Sequence, residues 1–174
     1  MLIEKAAAGA DWEEMRAICV ETSARPVPPD QRKAFGRLWI DPYRRWAPNW
    51  AYVARDQGRV VGYLTGCASS TAFFILSGLF GPRPNLGANL RFPKRVLAHL
   101  LLRYPAHLHV NVREGHRGGT GRALMERFER DVAVGVHVFC GERPRGFYLK
   151  LGYEELGRIT VGDKNVFALG KRPV

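Results

Sequence analysis

The sequence predicts a mixed α/β domain built on one twisted sheet, and three observations carry that expectation. Runs with the two-residue alternation of strands and the wider spacing of amphipathic helices succeed one another along the chain. Their order is β-α-α-β-β, then an excursion, then β-α-β-α-β-β, the pattern of helices packed on a mixed sheet. The 174 residues, 46% hydrophobic and 25% charged, suit one globular domain (1–174) with an ample core.

Each element has a local cause. MLIEKA is a short apolar run that reads as an edge strand. Asp11 precedes WEEMRAICVETSA with Glu14 three residues beyond it, the spacing of a capping box with acids in the first turn. ARPVPPDQRKAFG is proline-rich and then polar, a loop leading into a short second helix that ends near Trp39. WAYVARD (50–56) and VVGYLTG (60–66) flank a short turn containing Gly58 and read as a hairpin.

From Cys67 to Tyr104 the pattern loses its regularity. Phe73, Phe74, Phe80 and Phe92, the turn-rich GPRPNLGANLRFP and the leucine-rich VLAHLLLRYP read as an irregular excursion closed by a short apolar helix. PAHLHVNV (105–112) alternates strictly, with Leu108, Val110 and Val112 on one face and His107, His109 and Asn111 on the other. TGRALMERFERDVA sets Leu124, Phe128 and Val132 on one helical stripe. GVHVFCGE is a further strand, PRGFYLKLG a short helix stopped by Gly152, and YEELGRIT and NVFALG two closing strands.

Composition narrows the function classes. TAFFILSGLF (71–80), the longest apolar run, is too short for a membrane span, and MLIEKAAAGADWEEM lacks the charged and apolar regions of a signal peptide. Cys19, Cys67 and Cys140 are sparse, odd in number and without metal-ligand spacing, so the expectation is an intracellular, cytoplasmic chain with no disulfide scaffold and no metal. Lys and Arg total 27 against 16 Asp and Glu, a formal charge of +11. That excess favours polyanions or phosphorylated ligands, but the basic residues are spread with no block of five or six together. A basic, solvated surface is the expectation, and nucleic acid is not the expected partner.

EGHRGGTGRALMERF (114–128) holds the most specific chemistry. A strand ending in a glycine-rich turn that opens a helix is an anion site, because the first helical N–H groups lack acceptors and the dipole is positive there. Gly118, Gly119 and Gly121 let a phosphate approach the backbone, and Arg117 and Arg122 add charge-assisted contacts. A pyrophosphate fits the length. The turn is neither a G-x-G-x-x-G dinucleotide fingerprint nor a Gly-Lys-Ser/Thr P-loop. Read alone it is equally a flexible turn.

HVNVREGHRGGTGRALMERF followed by GFYLKLGYEELG (146–157) resembles the two halves of a GCN5-related N-acetyltransferase, the GNAT superfamily. The likeness is firm from about Pro105 to Leu156 and weaker over the N-terminal strand, helix and hairpin. It implies the GNAT fold: a mostly antiparallel twisted sheet of six to seven strands flanked by about four helices, with a long excursion between strands 3 and 4. The family's diphosphate pattern, Gln/Arg-x-x-Gly-x-Gly/Ala, aligns with His116 to Gly121 with His in first place, or with Arg117 as the family arginine and one residue missing.

The resemblance implies acetyl-CoA as co-substrate, its pyrophosphate held around Arg117, Gly118, Gly119, Thr120, Gly121 and Arg122. Asn111 and Val112 would pair with the pantetheine arm. The family's Asn-x-x-Ala segment is replaced by Gly141 and Pro144. Tyr148 matches the tyrosine that protonates the departing thiolate; the alternative is a core tyrosine. His109 is a candidate base with an ordinary pKa of about 6.5, against a histidine satisfied within the sheet–helix interface. Glu142 and a water route are further options, and Cys140 is expected to be buried and inert. Trp39, Trp46, Trp50, Phe73 and Phe74 are candidates for an acceptor cleft.

DPYRRWAPNWAYVARDQGRVVGYLTG, the insertion and YPAHLHVNV are also similar to acetyltransferase-like domains that accompany O-GlcNAc-removing hydrolases, and to their stand-alone bacterial relatives. Some of those lack catalysis. The leading expectation is an acetyl-CoA-dependent N-acetyltransferase acting on a primary amine, small molecule or peptide. The alternatives are a catalytically silent coenzyme-binding or interaction module and a nucleic-acid binder. The apolar excursion offers a homodimer face.

Overall fold

The computed structural model describes residues 1–7, 9–78 and 91–173. Seven strands form one sheet in the order β1-β2-β3-β4-β5-β7-β6. They are β1 (Leu2–Lys5), β2 (Ala51–Asp56), β3 (Arg59–Cys67), β4 (Ala106–Val112), β5 (Val136–Cys140), β6 (Glu154–Val161) and β7 (Lys164–Lys171). Every neighbouring pair is antiparallel except β4 and β5. Among the described residues there are six α-helices: α1 (Ala10–Glu21), α2 (Arg32–Trp46), α3 (Ser70–Gly78), α4 (Lys94–Arg103), α5 (Thr120–Val132) and α6 (Glu142–Lys150).

The expected strands and their order are all present, and β1 lies at the sheet edge. The hairpin turn is the two-residue Gln57-Gly58, with φ of 48° and 79°, the mirror-image turn whose twist suits antiparallel strands. Three expectations need correction. The first helix starts at Ala10 with Gly9 as its N-cap. Asp11 sits inside it and accepts a hydrogen bond from the preceding Ala7 N–H at 2.8 Å, while also pairing with Arg55 at 2.6 Å. Asp11 therefore ties the entry of the helix to β2 instead of capping it.

The second helix does not end near Trp39 but runs through Pro42 to Trp46. Burial of Ile40 and packing of Tyr43 on Phe73 (ring centroids 4.8 Å apart) hold the extra turns, and the Arg16 Nε donates to Asp41 across to α1 at 2.7 Å. Tertiary packing here outweighs the proline's missing donor. The excursion is more regular than expected: besides the short apolar helix that closes it, α4, it carries a further helix, α3. Its turn-rich middle, including Phe80, lies outside the described residues.

The helices cover both faces. Against one face α5 and α6 bury Leu124, Met125, Phe128 and Tyr148 together with Tyr52, Leu64, Leu108 and Leu169 from the strands. A β-carbon at Gly66 would lie 2.6 Å from the Phe128 ring, so only glycine lets that ring reach β3. Against the other face α1 and α2 bury Trp12, Met15, Ile18 and Ile40 over Val53, Val60 and Tyr63. Further along, α4 covers β7 through Leu100, with Tyr104 and Phe92 beside it. Among the described residues no helix is long and apolar enough to cross a membrane.

Candidate active site

The site follows from a break in the sheet. β4 and β5 pair only at Ala106–Val136 and His107–His137. Beyond that point β4 stays bonded to β3 through Val112, and β5 stays bonded to β7 through Cys140. The facing edges part, so the N–H and C=O groups of residues 108–112 and 138–140 on those edges have no ladder partner. Main-chain groups in such a wedge require another partner.

Two cavities open from the wedge. The larger, about 730 Å³, is lined by Val110, Asn111, Val112, Arg117, Gly121, Gly141, Glu142, Arg143, Phe147 and Tyr148, among others. It combines an open strand edge, the start of α5 and a basic mouth. The smaller, about 450 Å³, lies toward α2 and α3 and is lined by Trp39, Tyr43, Phe73, Phe74, His107 and His109, among others. Gly141, Asp163 and Lys164 line both. A β-carbon at Gly141 would meet nothing within 4 Å, so no side chain divides the cavities there.

The glycine loop is held at its base. Arg113 donates to Glu21 at 2.9 Å, to Glu14 at 3.0 Å and to the Val60 carbonyl at 2.6 Å. The Thr120 hydroxyl donates to the His116 carbonyl at 2.5 Å, folding the loop onto the helix start. Gly119 is the N-cap of α5 with φ of 86° and open space where a side chain would stand. The N–H groups of Thr120, Gly121 and Arg122 have no acceptor in the helix, and the Ala123 N–H is the first to bond back, to Gly119 O at 3.0 Å. Asn111, Val112, Arg117 and Gly121 line the larger cavity. Gly118, Gly119, Thr120 and Arg122 do not; Thr120 is buried and Arg122 points along the helix toward Glu126 at 3.7 Å.

Tyr148 lines the larger cavity, its ring packed against Phe147 and Tyr153 at centroid distances of 5.2 and 5.6 Å. Its hydroxyl has no hydrogen-bond partner among the described residues. Burial pushes its pKa up, so the phenol keeps its proton at neutral pH. Cys140 is buried and its thiol is pushed up to about 11, also by burial. Glu142 begins α6 and accepts from the Asn165 side chain at 2.8 Å.

His109 faces the other way. It stacks on Trp39 at 5.1 Å and lines the smaller cavity. The Asn111 amide donates to its Nε2 at 3.3 Å and to the Tyr63 hydroxyl at 2.9 Å, while its Nδ1 lies 3.2 Å from that hydroxyl. Both ring nitrogens are engaged, and burial pushes the pKa down to about 4. This arrangement does not support His109 as the proton acceptor; it is a satisfied ring in the sheet–helix interface. The Asn111 side chain is drawn to the same network, which leaves its main chain for the larger cavity.

Of the aromatic candidates, Trp39, Phe73 and Phe74 line the smaller cavity. Trp50 instead packs edge-on to Phe128 at 6.2 Å, and Trp46 lies under Arg45. Sequence reasoning missed Tyr43, His137 and Asp163. The alternation that placed His107 and His109 on one face held the signal for the cavity, but α3 and the length of α2 were needed to build its walls.

No protein-family model matches the chain. Over 99% of its length it is similar to the solved structure of SsHAT, with 28% identity, 98% of that chain covered and a TM-score of 0.76. It is similar at 22% identity and TM-score 0.68 to a structure described as histone acetyltransferase HPA2 and related acetyltransferase from Corynebacterium glutamicum, with 99% and 96% of the two chains covered. An aminoglycoside 6'-N-acetyltransferase complexed with coenzyme A matches over 100% of this chain and 98% of its own, at 15% identity and TM-score 0.64. From end to end, the chain carries the fold of the GCN5-related N-acetyltransferases, a fold of acyltransferases.

Proposed function

We propose that the chain is an acetyl-CoA-dependent N-acetyltransferase that acts on a primary amine. The single observation that carries this reading is the parting of β4 from β5 between two cavities that meet at Gly141. The larger cavity fits the co-substrate. The free edge of Val110 to Val112 offers main-chain bonds to a pantetheine arm, the first N–H groups of α5 and Arg117 offer a pyrophosphate site, and Arg143 adds positive charge. The smaller cavity fits the acceptor.

In this reading the amine lone pair attacks the thioester carbonyl carbon, a C–N bond forms and the C–S bond breaks. Tyr148 gives its phenolic proton to the departing thiolate and regains one from solvent, while the excess proton on nitrogen leaves to water. A phenol kept protonated by burial suits that role.

Calorimetric titration with acetyl-CoA at physiological salt tests the site. One-to-one saturation that Gly119→Glu weakens at least tenfold is the expected result, because a carboxylate would stand beside the free N–H groups. Release of free thiol upon adding amines then tests transfer. Binding without thiol release from any amine would favour the second reading, a silent coenzyme-binding module like those beside O-GlcNAc hydrolases. The observation behind that reading is the glycine and proline at 141 and 144. Absence of binding would refute both.

A further inference from the structure

The smaller cavity has walls made of rings and little charge. Phe74 lies parallel to His107 (interplanar 6°, centroids 5.3 Å), and Tyr43 stacks on Phe73. Trp39 stacks on His109 from α2. Such walls present flat apolar faces to a planar guest. The charged residues lining the cavity are one carboxylate, Asp163, and two cations, Arg25 and Lys164. One ammonium can be matched by one carboxylate; a second would meet cations and give up hydration without return.

Two polar atoms in this shell lack partners. The His137 Nδ1 lies 2.5 Å from the Tyr104 carbonyl oxygen. A carbonyl only accepts, so the proton sits on Nδ1 and Nε2 is left as an acceptor with no partner among the described residues. The residue is 2% exposed and lines the cavity. Ser77 also lines it, is 7% exposed, and its hydroxyl has no partner among the described residues. Unpaired polar atoms on a cavity wall point to a guest that completes them; Thr65 Oγ1, buried and also without a partner among the described residues, lines neither cavity.

We propose that this cavity takes a primary arylalkylamine whose ring carries a hydroxyl or N–H donor, which deepens the reading above and rests on it. The ring lies among Trp39, Tyr43, Phe73 and Phe74, its donor bonds to Nε2 of His137, and its single amine lies at Asp163. That residue lines both cavities, so the amine faces the incoming thioester. Polyamines and aminoglycosides, with several ammonium groups, are excluded by the same charges.

The test is calorimetric titration of the native protein, without coenzyme, with tyramine, phenethylamine and spermidine. Tyramine binds about fivefold tighter than phenethylamine, the factor one neutral hydrogen bond supplies, and spermidine binds at least tenfold more weakly than either. His137→Asn keeps an N–H for the Tyr104 carbonyl but has no Nε2, so it removes the preference for tyramine over phenethylamine. The ligand comparison on native protein stands whether or not that variant folds. Equal binding of tyramine and phenethylamine by the native protein, or spermidine binding as tightly as tyramine, overturns the proposal. Acetyl-CoA binding with thiol release from other amines, but no tyramine binding, overturns it while leaving acetyl transfer intact. Tyramine binding without acetyl-CoA binding supports the amine site and overturns the transferase reading.

Discussion

Replacing Tyr148 with phenylalanine removes one oxygen and leaves the ring contacts with Phe147 and Tyr153 in place. The lost hydroxyl has no partner among the described residues, so folded stability should change by less than about 1 kcal/mol. For a domain of this size that is a melting shift within about 4 °C. Loss of a general acid lowers turnover by roughly 10²–10⁴, or about 2.7–5.4 kcal/mol in the barrier, while acetyl-CoA affinity stays within about threefold.

Tyr153, whose ring centroid is 5.6 Å from that of Tyr148, is the internal control. Its hydroxyl donates to Glu129 at 2.9 Å, and the same buried carboxylate accepts from Lys171 at 2.6 Å. Tyr153→Phe therefore costs about 1.5–3 kcal/mol of stability, the range for a hydrogen bond to a charged group, with turnover of the folded fraction near native. Thermal melts, acetyl-CoA calorimetry and thiol-release rates on the two variants separate the cases. Native turnover in Tyr148→Phe, or the same profile in both variants, would refute the assignment. Because burial raises the Tyr148 pKa, the native rate should show no fall from loss of the phenolic proton between about pH 7 and pH 9, and should rise there as the acceptor amine becomes neutral.

Other substitutions probe the surroundings. Gly141→Leu meets open space and no positive φ, so it should fold normally and bind acetyl-CoA within a few fold; by closing the junction of the cavities it should lower transfer at least tenfold in a thiol-release assay. Arg113→Ala releases the loop base from Glu14, Glu21 and the Val60 carbonyl, and should raise the KM for acetyl-CoA more than it lowers kcat. Asp11→Ala removes a buried acceptor from the Ala7 N–H and from Arg55, which keeps Glu4, and should cost about 1–3 kcal/mol, read by denaturant unfolding. His107, His109 and His137 are held neutral by burial, their pKa values pushed down to about 3, 4 and 4. The unfolded chain protonates them below about pH 6.5 and the folded chain does not until about pH 4. Stability should thus be full above pH 6.5 and fall on acidification through that window, by up to about 1.4 kcal/mol per pH unit per ring; a melting temperature unchanged between pH 7 and pH 5 would contradict this.

Much of this architecture was legible because local pattern and tertiary role agree. Strict alternation in residues 106–112 and the stripe Leu124, Phe128, Val132 each face a partner of matching period. The glycine loop was legible because a strand, a turn and a helix start have separate local signals. Two features were not. The length of α2 depends on packing against α1 and Phe73 that outweighs Pro42, which no local rule contains. The surroundings of His109 were not legible, and they decide between a base and a satisfied ring, because a histidine's pKa is set by its neighbours, here Trp39, Tyr63 and Asn111 from three elements. The smaller cavity escaped for the same reason: α2, α3, β4 and β5 each supply a part of its wall, and none carries its signature alone.

The seam between β4 and β5 has a bearing on self-association. Unpaired strand edges usually template pairing with another chain, and proteins guard them at the rim of a sheet. Here the unpaired edges lie mid-sheet, flanked on either side by bonded strands. A slender guest can reach them, but an approaching sheet cannot. The fold can thus offer a row of free peptide groups to a ligand without offering the same row to its own kind, and amide exchange along residues 108–112 should slow when a ligand fills the seam.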